Sequence, residues 1–320
     1  MEIEQFNTPI LFMVFNRPDV TARVFEEIRK VRPKKLFISA DGPRPTRPED
    51  AEKCSKVREI VSRIDWPCEV HKLFHDSNLG CQIAPSSAVT WFFENVEAGI
   101  VLEDDCLPDP TFFPFCEELL IKYKDDTRVW QICGNFFQEK NKKLRLDGSY
   151  FFSTFPYLWG WASWSRSWKH YDLEMKEWPE ASRTGELRKT LKDPAVYSYW
   201  ENLWNKYYNG ERNSWDRPWA FIFMLRGGLS INPNTNLISN IGFGAEATHT
   251  KETDAEVSNM KLKSIMFPLI HPKGIKANLQ ADAFAFRDQF GINKTLQQRL
   301  LSPIKRNFPN LFEKVKGLVK

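Results

Sequence analysis

The sequence predicts an α/β fold: a mostly parallel sheet with flanking helices, an irregular aromatic-rich second half and a C-terminal helical tail. Three observations carry this. Short apolar runs alternate with helical-period stretches through the first hundred residues in the order β-α-β-α-β-α-β. Polar groups collect where those apolar runs end. The fourth run, Gly99-Ile100-Val101-Leu102, leads straight into Glu103-Asp104-Asp105, which sets three carboxylates at the carboxyl end of a buried strand, where α/β sheets bind ligands.

Pro9 to Phe15 is apolar throughout and reads as a central strand, ended by Asn16-Arg17-Pro18. Pro18 suits the first position of a helix, and Val20, Val24, Ile28 and Val31 follow at helical spacing. Leu36 to Ser39 is a second strand, closed by Ala40-Asp41-Gly42-Pro43. A helix with Val57, Ile60, Val61 and Ile64 follows a proline-rich loop. Cys68 to Phe74 is a third strand, Asn78-Leu79-Gly80 a turn, and Ile83 to Val96 a helix. Beyond the triplet the pattern predicts a helix from Phe112 to Lys124 and strands over Val129 to Cys133 and Tyr150 to Phe155. Val196, Trp200, Leu203, Trp204 and Tyr207 share one helical face. Another element starts at Ser214-Trp215-Asp216-Arg217-Pro218 and ends near Gly227-Gly228. Asn232 to Thr250 reads as loop.

Three adjacent carboxylates repel one another, and burying them unpaired is costly. Oxygen donors suit a hard divalent cation, Mn²⁺ or Mg²⁺, holding a diphosphate. The competing reading is a polar stop where a strand meets a surface loop.

The net charge of +4 is modest, and no basic stripe with interleaved aromatics or helix-turn-helix is present, so the sequence predicts no nucleic-acid partner. The six cysteines form no C-x-x-C pair, which reads as reduced thiols in a cytoplasmic protein. The first residues lack a signal-peptide pattern, and no apolar run approaches membrane-spanning length. No G-x-G-x-x-G follows the first strand, and no P-loop occurs.

Several stretches together resemble the GT-A nucleotide-diphospho-sugar transferases, in particular the N-acetylglucosaminyltransferase I type and its bacterial relatives. They are PILFMVFNR (9–17), ISADG (38–42), GIVLEDDCLPDPTFF (99–113), FPYLWGWASW (155–164), NSWDRPW (213–219) and NLISNIGFGAEATHT (236–250), in order over roughly residues 8 to 250. The resemblance implies a Rossmann-like GT-A domain over 1–255, with a nucleotide-binding half (1–110) and an acceptor half (111–255), and an extension over 256–320. It implies that Arg17 and Asp41 hold the nucleotide, that Glu103 and Asp104 contact the nucleoside, and that Asp105 binds the Mn²⁺ or Mg²⁺ bridging the diphosphate. Asp216 aligns with the general base of inverting members. Ser239, in the last stretch, joins the nucleotide-sugar-binding set. His249 is the candidate second metal ligand, with His271 behind it. Cys106 stands where the family carries a hydrophobic residue.

Each residue has a plainer reading. Asp216, two residues before Pro218, suits a helix N-cap. Asp41-Gly42 is a common turn pair, and His249 between threonines is an ordinary loop histidine. Trp159, Trp161 and Trp164 read mainly as core, with one as a sugar platform that Gly160 would let a ring approach.

The activity implied is an inverting, metal-dependent glycosyltransferase that uses a nucleotide-diphospho-sugar, such as UDP-GlcNAc, on a surface-polysaccharide or lipid-linked glycan. The alternatives are a sugar-phosphate nucleotidyltransferase and a non-catalytic carbohydrate-binding protein of the same fold. Residues 299–320 interleave apolar and basic side chains as a basic amphipathic helix does, broken by Pro303 and Pro309. Such a segment suits peripheral binding to an anionic membrane surface, or packing back on the domain.

Overall fold

The apolar run after Pro9 forms β1 (Ile10–Val14), in which every residue is buried. The computed structural model describes residues 5–243 and 259–289. From β1 the chain continues through α1 (Pro18–Val31), β2 (Lys35–Ala40), α2 (Glu49–Ile60), β3 (Glu69–Phe74), α3 (Gly80–Asn95), β4 (Ala98–Glu103) and β5 (Cys106–Pro108). The second half holds α4 (Phe112–Lys122), β6 (Val129–Cys133), β7 (Tyr150–Ser153), β8 (Trp161–Trp164), α5 (Ser165–Trp168), α6 (Trp178–Thr184) and α7 (Pro194–Tyr208). It closes with α8 (Asp216–Leu225), β9 (Leu229–Pro233), β10 (Ile238–Asn240) and α9 (Leu279–Gln289).

Eight strands form one mixed sheet in the order β3-β2-β1-β4-β8-β6-β9-β7, with β3, β2, β1 and β4 mutually parallel. β8 runs antiparallel to both β4 and β6, so β6 and β9 point the same way as β4. The mostly parallel α/β sheet is therefore as the apolar pattern predicts.

Side chains alternate across β1 as strand geometry requires. Ile10, Phe12 and Val14 join a core with α1, α2 and α4, while Leu11 and Met13 join a second core with α3 and α6–α8. The second core takes most of the tryptophans: Trp161, Trp178, Trp200, Trp204 and Trp219 are fully buried. The aromatic load of the second half is thus chiefly packing.

Three strands depart from the sequence reading. β8 lies inside the aromatic motif, with Trp161 on one core and Ala162 and Trp164 on the other. β9 and β10 occupy the stretch from 229 to 240, which reads partly as loop because its buried residues include Ser230, Asn232, Asn236 and Ser239. α3 begins at Gly80, ahead of Ile83, because a distant carboxylate holds its first amides. Asp41 at the end of β2 accepts hydrogen bonds from the Leu79 and Gly80 backbone amides at 2.9 and 3.1 Å.

Residues 259–289 run back along the body. Ile265 and Leu269 are buried in the first core and Phe286 in the second. Asp282 of α9 accepts from Ser153 Oγ at 2.5 Å and Thr154 Oγ1 at 2.8 Å. Among the described residues no helix is long and apolar enough to cross a membrane. Residues 299–320 and His249 lie outside the described residues.

Candidate active site

The β1–β4 pairing sets Met13 opposite Glu103, so the chain leaving β1 and the chain leaving β4 emerge side by side. Arg17 sits on the first and the triplet on the second. Arg17 is also the N-cap of α1: its carbonyl accepts from the Thr21 amide at 3.0 Å and Thr21 Oγ1 at 2.7 Å. With its backbone fixed, the guanidinium reaches Asp104 Oδ1 through Nη2 and Asp105 Oδ2 through Nη1, the latter at 3.0 Å.

The three carboxylates differ in placement. Asp104 is nearly sealed, with its side chain 5% exposed; it spends one oxygen on Arg17 and accepts from the Phe15 amide at 3.2 Å with the other. It therefore positions Arg17 and is absent from the cleft walls. Glu103 and Asp105 line a cleft of about 510 Å³, together with Arg17, Trp159, Tyr207, Arg212, Ser214, Asp216, Arg217, Asn240 and Gly242.

Asp216 stands on the α8 side of the cleft. It is the first residue of α8 after an N-cap at Trp215, and it makes no side-chain cap. The N-cap reading is thus corrected: its carboxylate accepts from Ser214 Oγ and pairs with Arg217 Nε at 3.4 Å. Tryptophans fix the start of this helix. Trp215 stacks on Trp161 at 6.0 Å between ring centroids, Tyr171 donates to the Trp215 carbonyl, and Trp204 donates to the Arg217 carbonyl. Asp216 thus lies in the first turn of α8, where the helix dipole favours a carboxylate, and stands half-exposed at the cleft.

The other predicted residues are placed as follows. Asp41 is buried and accepts from the Gly42, Leu79 and Gly80 amides and from Asn78 Nδ2, shaping the loop after β2; it does not line the cleft. Ser239 is buried on β10, paired with Leu107 of β5, one residue from the cleft-lining Asn240. His271 is far from the triplet, a correction to its reading as a metal ligand. It bonds Tyr150 Oη at 3.0 Å and lies 3.7 Å from Glu118 on α4, whose neighbour Glu117 reaches Thr8 ahead of β1, at the opposite end of the sheet. Trp161 and Trp164 are buried, so only Trp159 of that trio offers a ring to the cleft. Gly160 adopts φ +61, and a Cβ there would run into Ile238, so its missing side chain serves packing, not a ligand.

Gly242 was not singled out by the sequence. The β5–β10 pairing carries the chain across the triplet, with the Ile241 amide bonded to the Asp105 carbonyl at 2.8 Å. A Cβ at Gly242 would overlap both the Asp105 carboxylate and Arg17 Nη1. Gly242→Ala is therefore expected to push that ion pair out of place, which a crystal structure of the variant would show.

At the triplet itself one guanidinium, Arg17, stands against three adjacent carboxylates. Burial, then repulsion from Asp105 and Asp104, pushes Glu103 up to about 8, with Asp216 adding to the rise and Arg17 opposing it. Burial pushes Asp104 up to about 6 against the pull of Arg17. Burial alone would lower Arg17, but Asp104 and Asp105 outweigh it and keep it charged.

These shifts have a consequence for stability. Both folded-state values lie above the ordinary 3.8 and 4.5, so the folded chain holds more protons than the unfolded one, and stability falls as pH climbs between those limits. Asp50, held down to about 2 by Arg44, acts only at lower pH. The chelator-treated protein is expected to melt higher at pH 5.5 than at pH 8, and Glu103→Gln to flatten that slope. An unchanged slope in that variant would contradict the assignment.

Whether the site suits a divalent cation depends on its donors. Among the described residues no three His, Cys, Asp or Glu side chains are arranged to hold a metal ion. Mg²⁺-type ions need only one or two protein carboxylates when phosphates complete the shell. Asp105, exposed to the cleft and within reach of Arg17, fits such a shared site and not a resident one.

No family model matches the chain, and no curated protein matches it. Among solved structures it is distantly similar to HddC from Yersinia pseudotuberculosis, at 8% identity and TM-score 0.28 over 50% of this chain and 77% of that one. It is also similar to apo-UDP-glucose pyrophosphorylase (10% identity, TM-score 0.40) and to UDP-glucose pyrophosphorylase complexed with UDP-glucose (9%, 0.37), each over 73% of this chain and 93% of the other. Likeness at this level assigns no activity.

Proposed function

We propose that the chain is an inverting glycosyltransferase that moves a sugar from a nucleoside-diphosphate sugar, such as UDP-GlcNAc, to a hydroxyl of a surface-polysaccharide or lipid-linked glycan. One observation supports this above the others: Arg17, gripped by Asp104 and Asp105, lines the same cleft as the half-exposed carboxylate of Asp216. Sugar transfer needs both. The leaving diphosphate concentrates negative charge, and the attacking hydroxyl must lose a proton.

Arg17 would turn from Asp105 to the diphosphate, which frees an Asp105 oxygen. A Mn²⁺ or Mg²⁺ shared by Asp105 and the phosphates would add charge stabilisation there when bound. Glu103 faces the same space, and Asp41 would act on the nucleotide through the loop it holds. Asp216 would accept the acceptor's proton, with Ser214 and Arg217 fixing its direction. Trp159 is the ring available to a sugar.

The second reading, a sugar-phosphate nucleotidyltransferase, is the activity named for two of the solved structures above. Between β1 and α1 the chain runs through Phe15-Asn16-Arg17 directly into the proline that opens the helix, so no glycine-rich phosphate-cradling loop occurs there. Product analysis separates the two. The transferase reading predicts release of nucleoside diphosphate from a nucleotide sugar. Pyrophosphate formed from a nucleoside triphosphate and a sugar 1-phosphate, without diphosphate release, would favour the other.

A further inference from the structure

The strip from Met260 to Lys276 carries a surface that the cleft chemistry does not use. It starts beside the cleft, where the Asn259 amide bonds the Asn240 carbonyl, and passes the N-terminus of α4, where the Ile265 amide bonds Thr111 Oγ1. It then crosses the head of β7: the Ile270 amide bonds Ser149 Oγ at 2.9 Å, and the Ser149 amide bonds the Ile270 carbonyl at 2.7 Å. Ile265 and Leu269 anchor it in the core.

Between these anchors the strip turns large apolar side chains outward. Met266 is 81% exposed, Ile270 65% and Phe267 39%. Single exposed apolar residues are ordinary, but three within five residues on a firmly bonded backbone form a patch, and such patches mark contact surfaces. The charge around it is one-sided. Lys261, Lys263, Lys273 and Lys276 flank the patch, and no carboxylate occurs between residues 259 and 281. The adjoining segment, which bonds this strip through Asp147, adds Lys142, Lys143 and Arg145. The acids that face the strip are Glu139, paired with Lys263 at 2.6 Å, Asp109, which accepts from Ser264 Oγ at 3.0 Å, Asp147 and Glu118.

We propose that this strip is a membrane-contacting surface: Met266, Phe267 and Ile270 enter the headgroup layer of an anionic bilayer while the flanking lysines hold its phosphates. Apolar side chains flanked by an excess of lysines match the two layers of such an interface, the acyl boundary and the charged headgroups. Because the strip leads from the cleft rim, contact would bring the cleft next to the membrane. The inference does not depend on the reading of the cleft.

Sedimentation of the full-length protein with vesicles tests it. Vesicles of phosphatidylcholine and phosphatidylglycerol in equal amounts should pellet the protein, and phosphatidylcholine alone should not. Met266→Asp with Ile270→Asp, and separately Lys261→Gln with Lys273→Gln and Lys276→Gln, should each weaken binding about tenfold or more, with melting temperature unchanged because these side chains are exposed. Full-length protein with Lys305, Arg306, Lys314 and Lys316 each changed to Gln should keep binding that still requires Met266 and Ile270. Failure of the parent to bind anionic vesicles, parental binding by both strip variants, or binding abolished by the tail substitutions alone would each overturn the proposal.

Discussion

Asp216→Asn is expected to lower the transfer rate by about 10² to 10⁴-fold, the usual contribution of a general base, with little change in nucleotide-sugar affinity. The amide has the shape of the carboxylate and retains an oxygen for the Ser214 hydroxyl, but it cannot take a proton. The Arg217 pair that it loses is half-exposed, at 30% and 31% side-chain accessibility, and such pairs contribute little to stability. The start of α8 is held by Trp215, Tyr171 and Trp204 instead. Turnover at saturating donor, alongside a melting curve, checks this. A near-parental rate would remove Asp216 from the chemistry and leave the cleft a binding site only.

Arg17→Met should have the largest effect on stability. It leaves Asp104, 5% exposed, with a buried charge and no cation, a loss of about 3–5 kcal/mol at neutral pH. The loss should shrink as pH falls toward about 6, the value Asp104 has with Arg17 in place: without the pull of Arg17 the carboxyl takes up its proton above that pH, and the uncompensated charge disappears. Denaturant unfolding at pH 5 and pH 8 reads both effects. The same variant should lose nucleotide affinity even where it is fully folded. A pH-independent loss would mean that Arg17 acts through packing and not through its charge.

How much of this was legible depends on what each element is made of. β1 and β4 are continuous apolar runs, and both stand out. That Arg17 and the triplet meet was legible only through the family resemblance, since a sequence does not state strand order, and contact requires β1 and β4 to be neighbours. β8 escaped because its four residues are buried on both faces and two are tryptophans, so no polar alternation marks it. β9 escaped because Ser230 and Asn232 are buried polar residues inside a strand. The role of Asp41 at the start of α3 is a contact between residues 38 and 39 positions apart, which no local pattern reveals. Gly242 becomes visible only once the β5–β10 ribbon lays it against Asp105. Asp216 was read both as a base and as a cap, and the position of Trp215 as N-cap removes the second reading.

Calorimetric titration of UDP into the parent protein and into Asp105→Asn, each with and without Mn²⁺, addresses the site most directly. The account predicts measurable binding by the parent with Mn²⁺, binding about tenfold or more weaker without it, and no gain from Mn²⁺ in the variant. Equal heats in all four titrations, or none in any, would contradict a β4 terminus built to receive a diphosphate.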